Sequence, residues 1–239
     1  MKRLAAWVAQ ASHHWLAGFL TRYGLDSTPA LVGTFPPVAD TKTVLHVGCG
    51  PVTMGQVDLP GFHEEAWDEV RLDADPEVSP DIVGTMVDMS AVPDAFADAI
   101  FSSHNIEHLH WQDVSRALAE FCRTLKDEGF AVITCPDVQT VAQLVVEDRL
   151  LDTAYLSDAG PITPFDMLYG LRSANPQWMS HRSGFTLTTL MAVLREAGFP
   201  SCYGIRRPSN FDLWVLASKS KRSPEELSAM AKKFLVAVD

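Results

Sequence analysis

Cysteine is scarce in this 239-residue sequence, and its cysteines are scattered. The four lie far apart and form no C-x-x-C pair: Cys49, Cys122, Cys135 and Cys202. Disulfide frameworks and structural zinc sites are usually built from more closely spaced cysteines. The pattern fits reduced thiols better than either of these, and we expect a cytoplasmic protein.

Basic residues are also few. Nineteen Lys and Arg side chains stand against thirty Asp and Glu side chains, which gives a formal net charge of −11. Nucleic acid is repelled on average by such a charge. The sequence has no basic stripe that would override this repulsion, so we expect no nucleic-acid partner.

Long apolar runs are missing as well. No stretch approaches the roughly 20 residues that a membrane-spanning helix needs, so no membrane partner is expected. The sequence opens with basic residues, as a signal peptide does, but polar residues at positions 10 and 12–14 interrupt the apolar region. The apolar residues of this segment recur at helical spacing instead. We predict an amphipathic helix within residues 1–40 that packs on the domain or on a partner, for instance as a homodimer contact.

The rest of the chain alternates apolar, strand-like segments with amphipathic, helical ones. The predicted strands are residues 43–47, 68–73, a short piece of 81–88, 98–103, 129–136 and 211–219. One predicted helix buries a face and ends before the cap residue Gly129; its buried residues are Val114, Leu118, Phe121, Cys122 and Leu125. A second amphipathic helix is predicted within residues 187–199, with Gly198 beyond its end. The alternation predicts an α/β protein with a doubly wound, mostly parallel sheet.

The sequence is assigned to a single domain, residues 1–239, with two additions to the sheet. Residues 1–40 hold the N-terminal helix and a connector. Residues 150–184 fit neither period, although they carry aromatic residues and His181. A long irregular insert inside a compact domain is usually functional, and we expect this insert, after the fifth strand, to be a lid.

The first strand ends in the segment TVLHVGCGP, residues 43–51, with glycines at 48 and 50. Glycine lets a ligand approach the main chain closely, and backbone N–H groups in such a turn suit a carboxylate or a phosphate. A dinucleotide fingerprint would need Gly or Ala where Thr53 stands. A methyl-donor pattern would need Gly where Val52 stands. The glycines alone leave both ligand classes open.

Acidic residues that follow the next strands favour one adenosine over a dinucleotide. Asp73 ends the second strand, where a carboxylate accepts both hydroxyls of a ribose. Asp88 and Met89 follow the third strand, where an acid accepts from an adenine amino group and a methionine covers the ring. This set suits an adenosine with an amino-acid tail at the glycine turn.

At this point the sequence resembles the class I S-adenosylmethionine-dependent methyltransferases, in particular the broad bacterial group. The resemblance covers roughly residues 43–137 and rests on an ordered series of segments: VLHVGCGP, VRLDADP, VDMSAVPDAFADAIFSSHNIEHL and LKDEGFAVITCPD. The closing EAGF…FDLWVLASK resembles the last helix and hairpin of that family. Two departures are His46, where an acidic residue is usual, and Val52.

The resemblance implies a Rossmann-like, seven-stranded methyltransferase fold with S-adenosyl-L-methionine as cofactor and S-adenosyl-L-homocysteine as product. It implies that the methionine part of the donor meets the glycine turn, the ribose meets the end of the second strand, the adenine meets the end of the third, and the methyl group lies near the end of the fourth. The corresponding residues are Val47, Gly48, Cys49, Gly50, Asp73, Ala74, Asp88, Met89, Ser103 and His104.

The histidines of HNIEH, residues 104–108, formally match the inverted zincin motif H-x-x-E-H. That chemistry needs both histidines on one face of a helix. His104 directly follows a strand, so it is predicted to lie in the strand-to-helix turn, and no metal is expected. Glu107 and His108 are predicted to begin the next helix. His104 or His108 would take a proton from a hydroxyl acceptor, and His181 would reach the same mouth from the insert.

We therefore predict a methyltransferase that acts on a small-molecule or sugar-like acceptor, with oxygen as the target atom. One alternative is a non-catalytic module of the same fold that binds the donor or works through partners. Another is an NAD-dependent oxidoreductase, against which Thr53 and the Asp88–Met89 pair argue. The last is a zinc hydrolase that uses His104, Glu107 and His108.

Overall fold

The computed structural model describes residues 41–51, 60–63, 67–157, 159–172, 175 and 177–235. The chain divides into two units, Met1–Thr41 and Lys42–Asp239, and the second carries the features below. The predicted N-terminal helix and connector lie outside the described residues, as do Val52 and Thr53. The assignment to a single domain and the homodimer contact therefore remain predictions.

Within the described residues, nine strands form two sheets. They are β1 (Lys42–Val47), β2 (Trp67–Asp73), β3 (Ile82–Val83), β4 (Ala97–Ser103), β5 (Leu125–Pro136), β6 (Tyr155–Ser157), β7 (Gly160–Ile162), β8 (Ser201–Arg207) and β9 (Asp212–Ser218). The helices of the described chain are α1 (Pro60–His63), α2 (Trp111–Thr124), α3 (Val138–Val146), α4 (Pro164–Tyr169), α5 (Leu187–Glu196) and α6 (Pro224–Phe234). None of these helices is long and apolar enough to cross a membrane.

The main sheet has seven strands in the order β3-β2-β1-β4-β5-β9-β8. The first five run parallel, and β9 is antiparallel to both of its neighbours. Strand β1 lies inside the sheet, between β2 and β4, and its last four residues are all buried, as is usual for a parallel strand that is covered on both faces. The strand order reverses between β1 and β4, so the crevice beyond their carboxyl ends is where ligands bind in such sheets. This architecture confirms the predicted fold class.

Two predictions were wrong, one about the end of a helix and one about the position of a strand in the sheet. Helix α2 ends at Thr124 rather than before Gly129, because Leu125 is extended and pairs with Ala97 as the first residue of β5. The segment that ends in Ser218 does not close the sheet. All seven residues of β9 are buried between β5 and β8, whereas β8, at the edge, is only partly covered.

One face of the sheet packs against a cluster of aromatic side chains. The rings of Phe130 and Phe234 have centroids 4.5 Å apart, and those of Phe62 and Phe234 are 5.2 Å apart. Phe234 comes from α6, whose first turn is fixed by a capping box between Ser223 and Glu226. Helix α6 was not among the predicted elements, and burial of this aromatic face holds it against the sheet.

The insert over residues 150–184 is more regular than the sequence indicated. It contains the β6–β7 hairpin and α4, which begins with a capping box between Thr163 and Asp166. Gly170 then turns the chain with a φ of +83°. A Cβ atom at this position would lie 1.8 Å from the carbonyl oxygen of Met179, so only glycine allows the second half of the insert to pass so close.

Candidate active site

The glycine turn after β1 is held by bonds within the protein. Gly48 and Gly50 have φ values of +67° and +54°, in the left-handed region that glycine adopts at little cost. The N–H groups of Gly48 and Cys49 donate to the carbonyl of Leu72, at 2.8 and 3.2 Å. Because these two N–H groups already donate to β2, they are not available to bind a carboxylate, as had been expected of the turn.

Asn105 explains why position 48 needs glycine. Its amide nitrogen donates to the carbonyls of Val47 and Ser103, at 3.0 and 2.8 Å, and so ties the end of β1 to the end of β4. A Cβ on Gly48 would lie 2.2 Å from Asn105 Oδ1. Asn105 was not among the predicted site residues; its place directly after His104, beyond the end of β4, was the available signal.

Asp73 stands at the end of β2, where the sequence placed the ribose. One carboxylate oxygen accepts from the Gly50 N–H at 2.8 Å and the other from the Asp75 N–H at 2.9 Å. The neighbouring Asp75 is a turn residue that caps a short 3-10 helix, because its side chain accepts from the Glu77 N–H. The Asp73 carboxylate is thus fixed in place beside the glycine turn.

These elements enclose a cavity of about 550 Å³ at the carboxyl ends of the strands, within the usual size range of small-ligand sites. Many of the predicted site residues line it together: Val47, Gly48, Gly50, Asp73, Ala74, Ser103, His104 and His108. The segment after β3 contributes Gly84, Thr85, Met86 and Val87, and the insert contributes Asn175, Trp178, Met179 and Arg182.

Three predicted cofactor residues lie outside this lining. Cys49 is buried, and burial raises the pKa of its thiol to about 11. Met89 is also buried, and its N–H donates to Glu120 Oε2 at 2.8 Å. Asp88 is exposed, and its bonds to Ser90 lower the pKa of its carboxyl. Residues 84–87, just before the predicted pair, form the cavity wall instead.

His46, which replaces the usual acidic residue, also lies outside the cavity. Its side chain is buried in the sheet, its Nδ1 lies 2.9 Å from Glu69 Oε1, and its ring packs near Phe101. His46 thus pairs with Glu69 of the neighbouring strand β2 and does not line the cavity.

His104 stands at the mouth of the cavity in a backbone conformation rare for a residue with a side chain. Its φ is +54°, and such outliers cluster at functional sites. The Nδ1 atom lies 3.4 Å from Glu107 Oε1. Burial lowers the pKa of His104, but the attraction of the Glu107 carboxylate outweighs it and the pKa lies above its ordinary value.

Glu107 and His108 form a separate 3-10 turn, Ile106–His108, rather than the start of the next helix. Glu107 is buried, and neither carboxylate oxygen has a hydrogen-bond partner among the described residues. Burial raises the pKa of Glu107, but the proximity of His104 and two further histidines holds it below its usual value.

A second cavity of about 180 Å³ adjoins the first, and His104, His108 and Met179 line both. His181 lines only the smaller cavity, together with His108 and Glu107. The rings of His108 and His181 are 4.9 Å apart, edge to face. Burial lowers the pKa of His181, which favours its neutral form.

The insert is fastened to the 3-10 turn by its backbone. The N–H groups of Arg182 and Ser183 donate to the carbonyl of Glu107, at 2.8 and 3.1 Å. In the other direction, His108 Nδ1 donates to the carbonyl of Ser180 at 3.1 Å. These bonds bring His181 to Glu107 and place Trp178 beside the larger cavity.

Comparison with known proteins agrees with this geometry. Residues 45–133 match the family model of a methyltransferase domain. No curated protein matches the chain by sequence.

The fold recurs in solved structures. An S-adenosylmethionine-dependent methyltransferase from Archaeoglobus fulgidus is 16% identical, with 75% of this chain and 86% of that chain covered and a TM-score of 0.51. An O-methyltransferase family protein from Burkholderia thailandensis is 12% identical, with 76% and 52% covered and a TM-score of 0.52.

The sheet order and the cavity at its switch point define a methyltransferase fold. Together with the domain match, they support a class I S-adenosylmethionine-dependent methyltransferase. S-adenosylmethionine is the cofactor that this class uses, as the sequence resemblance predicted.

Proposed function

We propose that this chain transfers the methyl group of S-adenosylmethionine to an oxygen of a small-molecule or sugar-like acceptor. The observation that carries the proposal is the pair of adjoining cavities with His104 in their shared wall. The larger cavity offers Asp73 and the glycine turn to the donor. The smaller one, about 180 Å³, suits a small acceptor group better than a macromolecule.

The proposed donor site uses the residues that line the larger cavity. Asp73 and Ala74 take the ribose, and Ser103 and His104 adjoin the methyl group. The turn from Val47 to Gly50 lies against the methionine part, although its N–H groups at positions 48–50 are bonded within the protein. Thr85, Met86 and Val87 lie where the sequence placed Asp88 and Met89, and we assign the adenine to them.

In-line displacement moves the methyl group from the donor sulfur to the acceptor oxygen and leaves a neutral thioether. Its rate depends mainly on alignment of the two substrates. The hydroxyl proton goes to the imidazole of His104, which is half exposed at the junction of the cavities. Glu107 stabilises the charge that His104 gains. His108 and His181 line the other side of the smaller cavity.

The insert acts in this scheme as the roof of the site. Trp178 and Met179 line the larger cavity, and the backbone bonds to Glu107 keep this part of the insert in place. A roof excludes water, which protects the reactive sulfonium donor and strengthens the electrostatic interactions at the transfer site. Residues 150–184 are therefore proposed as the lid that also selects the acceptor.

The central test is donor binding. S-adenosylhomocysteine binds only the folded state, so at about 100 times its Kd it should raise the melting temperature by about 5–10 °C. NADH at the same concentration should leave it unchanged. Scanning fluorimetry with both ligands measures this. Stabilisation by NADH without an effect of S-adenosylhomocysteine at millimolar concentration would exclude the proposed function.

Trp178→Ala is expected to impair methyl transfer more than donor binding. Loss of the ring opens the roof, so methyl transfer should fall about 10- to 100-fold, as misplaced substrates lose alignment. The affinity for S-adenosylhomocysteine should change less than about threefold, which is the scale of a weak contact. Donor titration and acceptor kinetics measure the two effects.

Trp111→Ala is the matched control, because Trp111 is also exposed but lies outside both cavities, against Phe185. It should leave both quantities near their original values. Weak donor binding with normal transfer at saturation in Trp178→Ala would instead assign the insert to the cofactor site.

A further inference from the structure

Glu107, His108 and His181 present three potential metal ligands to one another. One ligand atom from each residue lies within 4.8 Å of those of the other two. In a tetrahedral zinc site, with bonds of about 2.0–2.2 Å, ligand atoms are about 3.4 Å apart. Inward movement of the side chains by about an ångström therefore closes this set around an ion, which is within the reach of ordinary rotamer adjustment.

The two histidines are already oriented by backbone carbonyls. His108 Nδ1 lies 3.1 Å from the carbonyl oxygen of Ser180, and His181 Nδ1 lies 2.9 Å from that of Met167. A carbonyl only accepts, so each Nδ1 carries the proton and each Nε2 keeps its lone pair. Metal-ligating histidines typically have this arrangement, since a bond at one nitrogen fixes the other for the metal.

The buried carboxylate of Glu107 is a second, independent observation that indicates a bound cation. Its carboxylate is 1% exposed, and neither oxygen has a hydrogen-bond partner among the described residues. His104 Nδ1 approaches one oxygen only to 3.4 Å. A buried carboxylate without a close hydrogen bond is costly, and a bound cation would satisfy it.

We propose that Glu107, His108 and His181 bind a first-row divalent transition metal ion, with Zn²⁺ as the reference ion. Two imidazoles and one carboxylate form the ligand set of many catalytic zinc sites, which keep a further position open. Imidazole ligands favour Zn²⁺, Co²⁺ or Ni²⁺ over Mg²⁺, which prefers oxygen ligands. All three residues line the cavity of about 180 Å³, which leaves room for a further ligand.

This set differs from the H-x-x-E-H pattern of residues 104–108, for which no metal was expected because His104 directly follows a strand. That pattern pairs His104 with His108, whereas the structure replaces His104 with His181 from the insert. His104 remains at the mouth of the larger cavity.

In the methyltransferase proposed above, the ion would hold an oxygen of the acceptor in the smaller cavity and make its proton easier to remove. This role rests on the proposed function, whereas metal binding itself does not. The two are measured separately below.

The test uses the untagged chain of residues 1–239. Elemental analysis of protein purified without chelators should find about one transition metal ion per chain, as expected for a site with three protein ligands. After removal of the ion, ZnCl₂ should restore the melting temperature and MgCl₂ should not. CoCl₂ should give the visible absorption bands of tetrahedral Co²⁺.

His181→Ala and Glu107→Gln should lose the ion, while His63→Ala should retain it. His63 is an exposed histidine on α1 and lines neither cavity. The two ligand variants should still bind S-adenosylhomocysteine, which separates failure of the metal site from failure of the proposed function.

Metal-free protein that shows neither a thermal shift with ZnCl₂ nor Co²⁺ bands would overturn the proposal, even if a variant failed to fold. Retention of the ion with unchanged affinity in His181→Ala would also overturn it.

Discussion

Asp73→Ala is expected to lower the affinity for S-adenosylhomocysteine about 10- to 100-fold, because hydrogen bonds to a charged group contribute about 1.5–3 kcal/mol. The carboxylate stands at the end of β2, where it faces the larger cavity and fixes the Gly50 N–H at 2.8 Å. Its replacement removes the acceptor for the ribose hydroxyls and loosens the glycine turn. Isothermal titration of both proteins measures the loss.

Two further variants make the result specific. Asp73→Asn keeps the shape and most of the hydrogen-bonding capacity without the charge, so an intermediate affinity is expected. Asp75→Ala should change donor affinity little, because the Asp75 side chain caps the 3-10 turn at Glu77. Equal losses at positions 73 and 75 would show that the ribose is not held as proposed.

Gly48→Ala is expected to lower the free energy of unfolding by about 2–4 kcal/mol. The left-handed backbone costs a residue with a Cβ about 1–2 kcal/mol. The new methyl group would also lie 2.2 Å from Asn105 Oδ1 and displace an amide that donates to Val47 and Ser103, at about 1 kcal/mol for each lost bond. Urea unfolding with and without S-adenosylhomocysteine measures the change.

Gly50→Ala is the matched control for backbone strain. Gly50 has a φ of +54° in the same turn, but a Cβ there meets nothing within 4 Å. It should therefore lose only the conformational part, about 1–2 kcal/mol. The double variant Gly48→Ala with Asn105→Ala should be more stable than the sum of the two single losses predicts, because the clash is gone. Strict additivity would contradict the role assigned to Asn105.

The core of the fold was readable in the sequence because its signals are local. Strand β1 is a short apolar run that stops at glycine, and β2 and β4 follow at regular intervals with polar residues at their ends. Helix α5 was placed correctly, with Gly198 beyond it at a φ of +106°. The end of α2 was missed because pairing of Leu125 with Ala97 overrides the helical spacing of Leu125.

The candidate site was only partly readable. Asp73 follows a predicted strand, and the carboxyl ends of parallel strands meet at one edge, so its position near the glycine turn follows from the sequence. Met89 was misplaced relative to the cavity, because the two-residue strand β3 ends earlier, at Val83. Periodicity does not determine the end of so short a strand. Residues 84–87, which directly follow β3, therefore line the cavity in place of Asp88 and Met89.

By itself, the sequence determined the strands of the parallel part of the sheet, the glycine turn and the acid that faces it, since each depends on neighbours along the chain. Tertiary structure alone decided that β9 lies between β5 and the edge strand β8. It also decided the packing of Asn105 on Gly48 and the proximity of His181 to Glu107. Those contacts join residues distant in sequence, and burial and backbone hydrogen bonds between separate elements select them. No local pattern encodes such a choice, because it depends on how the folded elements pack together.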